Sequence, residues 1–431
     1  MAVRFTYQTI LEHWPSQAPL LCLGGVGWEP LIATVFQEVP WTSLASEPCL
    51  LHGEKAGLCG TIGLISYDQW AGETVQPAPS RFFRIHEAIK VDPETGLFCL
   101  VGSRDVGSCD FALDHETAHR LVAALNRGAT TQSSERRPTA ETTGNKTDDN
   151  ISLTPLASSR DYLAAVNRVL EDIRDGRYYQ LNLLRYFRVT APPSKQTLAA
   201  RLDRLGGPMS AWLAVDGLDV ISFSPERFVT AQVAKAEDGS VILETAPIKG
   251  TVARSTNPDQ DDILKASLDQ STKDWAELAM IVDLMRNDLN RISMPRSVSV
   301  QDPGSVQSFS HLHHLVARIT SRMDPTLSLR ALLSALCPAG SITGAPKQEV
   351  TSAIRRYEGR ARRYFMGHIF YWNGRGHMNS SILIRTAVAE DGWERLEYAA
   401  GSGIVIRSGP ESELAEIRTK TRVFADDVLD F

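Results

Sequence analysis

Lys249 lies in Pro247-Ile248-Lys249-Gly250-Thr251, an apolar strand end broken by glycine. A lysine held there and desolvated has a depressed pKa, and its neutral amine is a nucleophile. Taken alone, the segment equally describes a surface lysine after a strand. A carboxyl partner is found in Ser224-Pro225-Glu226-Arg227-Phe228. Two Asp-Gly pairs set the frame: Asp216-Gly217 joins residues 211–215 to 220–223, and Asp238-Gly239 joins the strand beginning at Pro225 to residues 241–243. A two-residue second loop sets Glu226 opposite Thr251 and Phe228 opposite Lys249. Glu226 and Lys249 then share a face as diagonal neighbours, about 7 Å apart. A bulge places them on opposite faces instead, and a salt bridge of Glu226 to Arg227 or Lys249 is the plain alternative.

Two helices bring further acids. Over residues 273–292, Leu278, Ile281, Val282, Met285 and Leu289 recur at helical spacing, and Asp274 and Glu277 lie three apart on one face. Pro410 and Glu411 open a second helix that aligns Glu413, Glu416 and Lys420. Two converging carboxylate pairs suit a hard cation such as Mg²⁺, which keeps waters for exchange with an anionic substrate. Amphipathic helices with solvated acids would carry the same pattern.

The elements that must position these groups belong to a chain of 431 residues, 43% hydrophobic, with net charge −6. That length supports one large or two medium domains with a real core. The basic residues are interspersed with acidic ones, which excludes a nucleic-acid tract. No secretory core follows Met1, and no run approaches the roughly 20 apolar residues of a membrane span. Cys22, Cys49, Cys59, Cys99, Cys109 and Cys337 form no CxxC pair and read as buried thiols of a cytoplasmic protein. Residues 128–152 are rich in Thr, Ser, Asn and charge, and divide an N-terminal α+β region, 1–127, from a larger region, 153–431. A hairpin is expected around Asp92-Pro93-Glu94-Thr95-Gly96. Ser159 is expected to cap a helix with Tyr162, Val166, Leu170 and Ile173 on one stripe and Gly176 as its stop. A strand is expected over 178–189. Strands and helices without regular βαβ alternation make the fold class α+β.

Other motifs carry no such chemistry. Gly340-Ser341-Ile342-Thr343-Gly344-Ala345-Pro346-Lys347 has the wrong spacing for a phosphate loop, and Pro346 stands where a helix should be starting. Gly25-Val26-Gly27 lacks a third glycine. His311, His313 and His314 do not share a face in an extended segment, which argues against zinc. Cys59 lacks the flanks of a glutaminase nucleophile, so ammonia is not made by this chain.

Tyr179-Gln180-Leu181-Asn182-Leu183, Ser224 to Phe228, Pro247 to Thr251, Met280 to Asp288, His313-His314-Leu315-Val316, Gly340 to Lys347, Ile384-Arg385-Thr386 and Gly401 to Val405 occur in an order that resembles the chorismate-utilising enzymes. The resemblance runs from about Arg160 to the C-terminus, and the N-terminal part matches loosely through residues 63–68. It implies a four-layer α/β/β/α fold with two packed, mainly antiparallel sheets, chorismate as substrate and Mg²⁺ as cofactor. By position it makes Glu277 and Glu416 metal ligands, with Asp274 and Glu413 supporting through water. One substrate carboxylate would meet the metal. The other would meet Arg385 and the backbone of Gly401, Ser402 and Gly403, near Lys420, with Thr343 and Gly344 positioning the ring.

Related anthranilate, isochorismate and salicylate synthases usually carry alanine where this chain has Lys249. The lysine therefore implies 4-amination: Lys249 attacks C2 as the 4-hydroxyl leaves, and ammonia from a separate glutamine amidotransferase subunit then enters at C4. Glu226 would act as acid and then base, and His314 would stabilise charge on the ring. The product would feed folate or another 4-aminobenzoate-derived metabolite. Other outcomes of the resemblance are anthranilate or isochorismate formation, or a degraded subunit that mainly activates a glutaminase. Departures from the family pattern are Leu278, His368, Phe370 and Asn379. A Leu-Leu-Glu-Ser feedback motif is missing, so tryptophan inhibition is not expected.

Overall fold

The computed structural model describes residues 6–15, 18–24, 28, 30–40, 60–70, 79–91, 98–102, 111–132, 150–234, 239–308, 312–373, 376–390 and 392–429. The helix Ser159–Arg174 buries Tyr162, Ala165, Val166, Val169, Leu170 and Ile173 along one stripe. Burying each large apolar side chain contributes about 1.5–3 kcal/mol, which fixes the helix to the sheet more firmly than propensity would. Its cap is Ser158 rather than Ser159: the Ser158 hydroxyl accepts from the Asp161 amide. Gly176, at φ 78°, turns the chain out of the helix.

Asp216 (φ 47°) and Gly217 (φ 76°) form the tight hairpin that the sequence requires, joining Ala211–Val215 to Leu218–Ser222. The second hairpin differs. Thr230–Val233 pairs with Val241–Thr245 through Thr230↔Glu244, and Ala234 N–H donates to Ser240 O, so the loop is longer than two residues. Asp238 lies outside the described residues. Ser224 to Phe228 does not join that ladder, and Ile248–Ala253 pairs with Leu312–Met323 instead. The expected Glu226–Thr251 and Phe228–Lys249 register is therefore wrong. The chain between Ser222 and Thr230 leaves the ladder, and Glu226 comes within electrostatic range of Lys249.

The strands follow one hydrogen-bonded path that doubles back as two packed layers. One half runs from Ser152–Pro155 through Gln180–Thr190, Leu396–Val405, Thr386–Ala389 and Leu218–Ser222 to Ala211–Val215, Leu20–Leu23 and Leu31–Val39. The other runs from Arg81–Val91 through Gly60–Ile65, His368–Trp372, His377–Ile382, Thr230–Val233 and Val241–Thr245 to Leu312–Met323 and Ser299–Ser308. The halves join where Leu31–Val39 pairs with Arg81–Val91. These pairings are antiparallel, as expected, and helices cover the layers to give the four-layer fold.

The boundary at 128–152 divides the chain in sequence but not in space. The helix His115–Gln132 runs into it, and Leu20–Leu23 and Gly60–Ile65 each pair with strands of the later region. The expected turn at 92–96 lies outside the described residues, although its flanking strands pair at Val91↔Phe98. Cys22 and Cys337 are buried and Cys99 is half-buried, while Cys49, Cys59 and Cys109 lie outside the described residues. Among the described residues no helix is long and apolar enough to cross a membrane.

Candidate active site

Lys249 sits opposite Leu315 at a break in register between Lys249 and Thr251. Gly250 makes that bulge at φ 66°, and a Cβ there would stand 2.6 Å from Leu268 Cδ1 and 2.9 Å from Asp274 Cγ. Only glycine lets the strand press so closely on the two helices Pro258–Asp269 and Thr272–Asn290. Half-buried Lys249 acts electrostatically on Glu226, Glu277 and Glu416, so all three acids lie within its range.

Glu226 comes from the loop after Leu218–Ser222. Its amide donates to Ser224 Oγ (3.2 Å), and its carbonyl accepts from Ile382 N–H (3.3 Å). Burial pushes its carboxyl above the usual range, opposed by Lys249, Arg385, Lys420 and the Ser341 hydroxyl. A carboxyl that holds its proton longer than usual is suited to protonating a leaving group. His314 lies opposite Thr251. Burial lowers its pKa against the pull of the Gly250 carbonyl, with Arg385 and His313 adding repulsion, and it acts as a neutral imidazole. Its neighbour His313 faces the other way, onto Ser308 Oγ (2.8 Å) and Asp261 Oδ1 (3.0 Å), as the reading against zinc requires.

The acids divide into two pairs. Burial raises the Glu277 pKa, opposed by Lys249 and Lys273 and reinforced by Asp274 and Glu416. For Glu416 burial also opposes ionisation, but Lys420, 2.7 Å away, together with Lys249 and Lys273, holds the carboxyl below its ordinary range. One Asp274 oxygen takes the Ser271 hydroxyl within the helix cap. Glu413 is buried, and its Oε2 has no partner among the described residues.

This donor set fits a hard cation. Two carboxylates in mutual range and an orphaned buried oxygen can supply part of a shell of oxygens. Among the described residues no three His, Cys, Asp or Glu side chains form a self-contained metal group, so water and substrate would complete the coordination.

The opposite wall is built by Leu396–Val405 and Gln180–Thr190. Lys420 Nζ donates to Gly401 O (2.6 Å), and Gly403 packs against the amide ends of Gln180 and Asn182. Ser402 points the other way, its Oγ 3.5 Å from Tyr162 OH, so only its backbone faces the site. Arg385, at φ 50°, is half-buried and close enough to act on Glu226 and His314.

The Thr343 hydroxyl is already used: it donates to Ala339 O (2.9 Å) and Gly340 O (3.2 Å), so the residue shapes the turn rather than presenting its side chain. Gly344, at φ 140°, lies so close to Gln180 O that any Cβ would clash at 2.1 Å. A helix does begin right after Pro346, contrary to the sequence reading, but Lys347 there is bound to buried Asp288 (2.9 Å). Sequence reasoning missed Ser341, whose buried Oγ has no fully formed hydrogen bond and lies beside Glu226. The glycine-bracketed turn was its only signal.

His368, the most conspicuous departure, does not reach into this cluster. It stacks on Phe228 at 4.4 Å, and burial, with a push from Lys347, drives its pKa down to about 3. Leu278 and Phe370 are fully buried in the core, and Asn379 lies opposite Tyr371 on the adjoining strand.

A lysine within range of three acids, with Arg385 and Lys420 close by, in a four-layer α/β/β/α fold is the arrangement of an enzyme that handles a small charged substrate. The chain belongs to the chorismate binding enzyme family, whose sequence profile matches residues 29–426. It is 33% identical over 362 residues to aminodeoxychorismate synthase component 1 of Escherichia coli K12, covering 83% of this chain and 74% of that protein. It is 38% identical over 260 residues to the Klebsiella aerogenes protein of the same name, covering 60% and 56%. It is also 30% identical over 378 residues to anthranilate synthase component 1 of Methanothermobacter thermautotrophicus, covering 85% and 74%. The match covers only about half, 37–56%, of several relatives' own length. Among solved structures, a menaquinone-specific isochorismate synthase from Escherichia coli superposes with TM-score 0.66 at 18% identity, covering 96% of this chain and 89% of that one. Anthranilate synthase component I from Streptococcus pneumoniae gives 0.64 at 24%, covering 86% and 81%. These two likenesses speak for the fold.

Proposed function

We propose that the protein is an aminodeoxychorismate synthase component 1, which converts chorismate and ammonia to 4-amino-4-deoxychorismate and water. The observation that carries this reading is Lys249 at the Gly250 bulge, within electrostatic range of Glu226, Glu277 and Glu416. Lys249 Nζ forms a bond to ring C2, both double bonds of the conjugated ring diene shift toward C4, and the C4–O bond breaks as Glu226 delivers a proton to the departing hydroxyl. Ammonia then bonds to C4, both double bonds return and the C2–N bond breaks. The proton released by ammonia returns to Glu226, and the amine is regenerated. His314 would lie beside the ring and stabilise charge developing on the substrate. Arg385, Lys420 and the backbone of Gly401 to Gly403 would hold the substrate carboxylate that does not meet the metal. Glu277 and Glu416 would hold Mg²⁺, with Asp274 and Glu413 behind them. Bound there, the ion neutralises the acid cluster and clamps the second substrate carboxylate.

Ammonia would come from a glutamine amidotransferase subunit, in keeping with the component 1 naming of the relatives. The anthranilate synthase relative keeps 2-amination as a second reading. Product analysis after incubation with chorismate, Mg²⁺ and ammonium separates the two: a 4-amino product supports the proposal, and a 2-amino product, a hydroxylated product or none overturns it. Without ammonia, intact mass should show a chorismate-derived adduct that Lys249→Ala abolishes. Undiminished amination by Lys249→Ala would remove the nucleophile assignment.

A further inference from the structure

The outer face of the second strand layer carries a cavity of about 370 Å³, within the usual size range of small-molecule sites. Strand pairing builds its floor: Thr230 lies opposite Glu244, Gln232 between Ile242 and His377, and Tyr371 opposite Asn379. The alternate residues Ala231, Leu243, Met378 and Phe370 are fully buried, so this floor faces away from the core. The cavity shares no lining residue with the cluster around Lys249.

Three groups give it chemical direction. Trp28 is 4% exposed, and its indole Nε1, sealed from solvent, has no partner among the described residues. Arg227 is exposed and forms no ion pair with a described residue. Glu244 stands beyond them on the neighbouring strand. Buried donors are rarely left unpaired, and an unpartnered indole N–H in the same cavity lining as Arg227, which has no ion pair with a described residue, points to an anionic acceptor. Glu244 repels a second negative charge, which disfavours a dicarboxylate, and accepts a hydrogen bond from a neutral donor. Ile242, 41% exposed, offers apolar surface to a ring, with Trp28 and Tyr371 buried at the edge of the cavity. Arg227 and Thr230 are three residues apart, about 10 Å of extended chain, which leaves room for one ring with a polar group at each end.

We propose that this cavity is a second small-molecule site, taking a planar aromatic monocarboxylate with a hydrogen-bond donor opposite its carboxylate. Arg227 receives the carboxylate at the Trp28 edge of the cavity, and Glu244 receives the donor. The site backs onto the reactive loop: Arg227 bridges to Ser381, and the preceding residue, Glu226, accepts from Ile382 N–H. A ligand drawing on Arg227 therefore pulls on the chain that carries the catalytic carboxyl. The inference rests on the sheet face alone and stands or falls separately from the proposed reaction.

Calorimetric titration of the full chain with 4-aminobenzoate and benzoate tests it. The expected result is saturable 4-aminobenzoate binding, weakened at least tenfold by Arg227→Gln and unchanged by Lys249→Ala. Benzoate should bind several-fold more weakly, and Glu244→Gln should erase that difference while leaving chorismate turnover as it was. Gln232→Trp, which fills the cavity from its solvent side, should block binding and serves if Arg227→Gln fails to fold. No binding up to millimolar ligand, binding indifferent to both Arg227→Gln and Gln232→Trp, or binding lost with Lys249→Ala overturns the proposal.

Discussion

Glu226 works against its own environment: burial favours its protonated form, while Lys249, Arg385, Lys420 and Ser341 favour the carboxylate. As a proton donor it is active below its folded pKa, so kcat/KM should fall as pH rises through that value. Ser341 exerts a downward pull, and Ser341→Ala should raise the Glu226 pKa and move the alkaline limb of the profile to higher pH. An unmoved limb would dissociate Ser341 from Glu226. Glu226→Gln should lower turnover about 10²–10⁴-fold. The same variant should melt higher at neutral pH. A folded-state pKa above the unfolded value favours folding below the unfolded pKa, and that contribution is lost as pH rises through the folded pKa.

At the scale of elements, the Gly250 bulge aims the amine. Gly250→Ala puts a Cβ into left-handed backbone and against Leu268 and Asp274, costing about 1–3 kcal/mol. Its urea midpoint should drop and amination should fall with it; a variant of full activity and stability would show that the bulge is not needed to place Lys249. In the strand His368–Trp372, neither ring nitrogen of His368 has a fully formed hydrogen bond among the described residues. Folding holds this ring neutral down to about pH 3, whereas the unfolded ring protonates below its model value of 6.5. Stability from this group is present above the unfolded pKa and declines as pH falls toward 3. His368→Phe keeps the stack on Phe228 and should flatten that decline, gain about 1 kcal/mol and retain turnover. Loss of turnover in a stable variant would give the imidazole a chemical role.

Across the whole molecule, the acids come from two helices and a loop far apart in the chain and the glycine-lined wall from the sheet, so ligands that bridge them should stabilise the entire fold. Thermal melting with Mg²⁺ and chorismate together should show a larger upward shift than either alone, amounting to about 2.7 kcal/mol at a hundredfold excess over Kd. Glu277→Gln with Glu416→Gln should remove the Mg²⁺-dependent part; an unchanged shift would place the ion elsewhere. Much of this arrangement was readable in the chain. Helical spacing announced the faces of Asp274–Glu277 and Glu413–Glu416–Lys420, and Asp216-Gly217 announced a hairpin, because these patterns depend on local backbone geometry. Lys249 and Glu226 were recognisable by residue type and neighbours. Their route to one another was not: the loop before Val241 is longer than two residues, and Lys249 pairs with a strand more than sixty residues later. Ser402 turned to the helix side and Thr343 bonded its own turn, outcomes set by sheet parity and local competition for carbonyls. Sequence determined which groups could react, since periodicity and side-chain chemistry are local. Tertiary structure decided which of them meet, because strand register and burial are settled only when distant segments compete for the same partners.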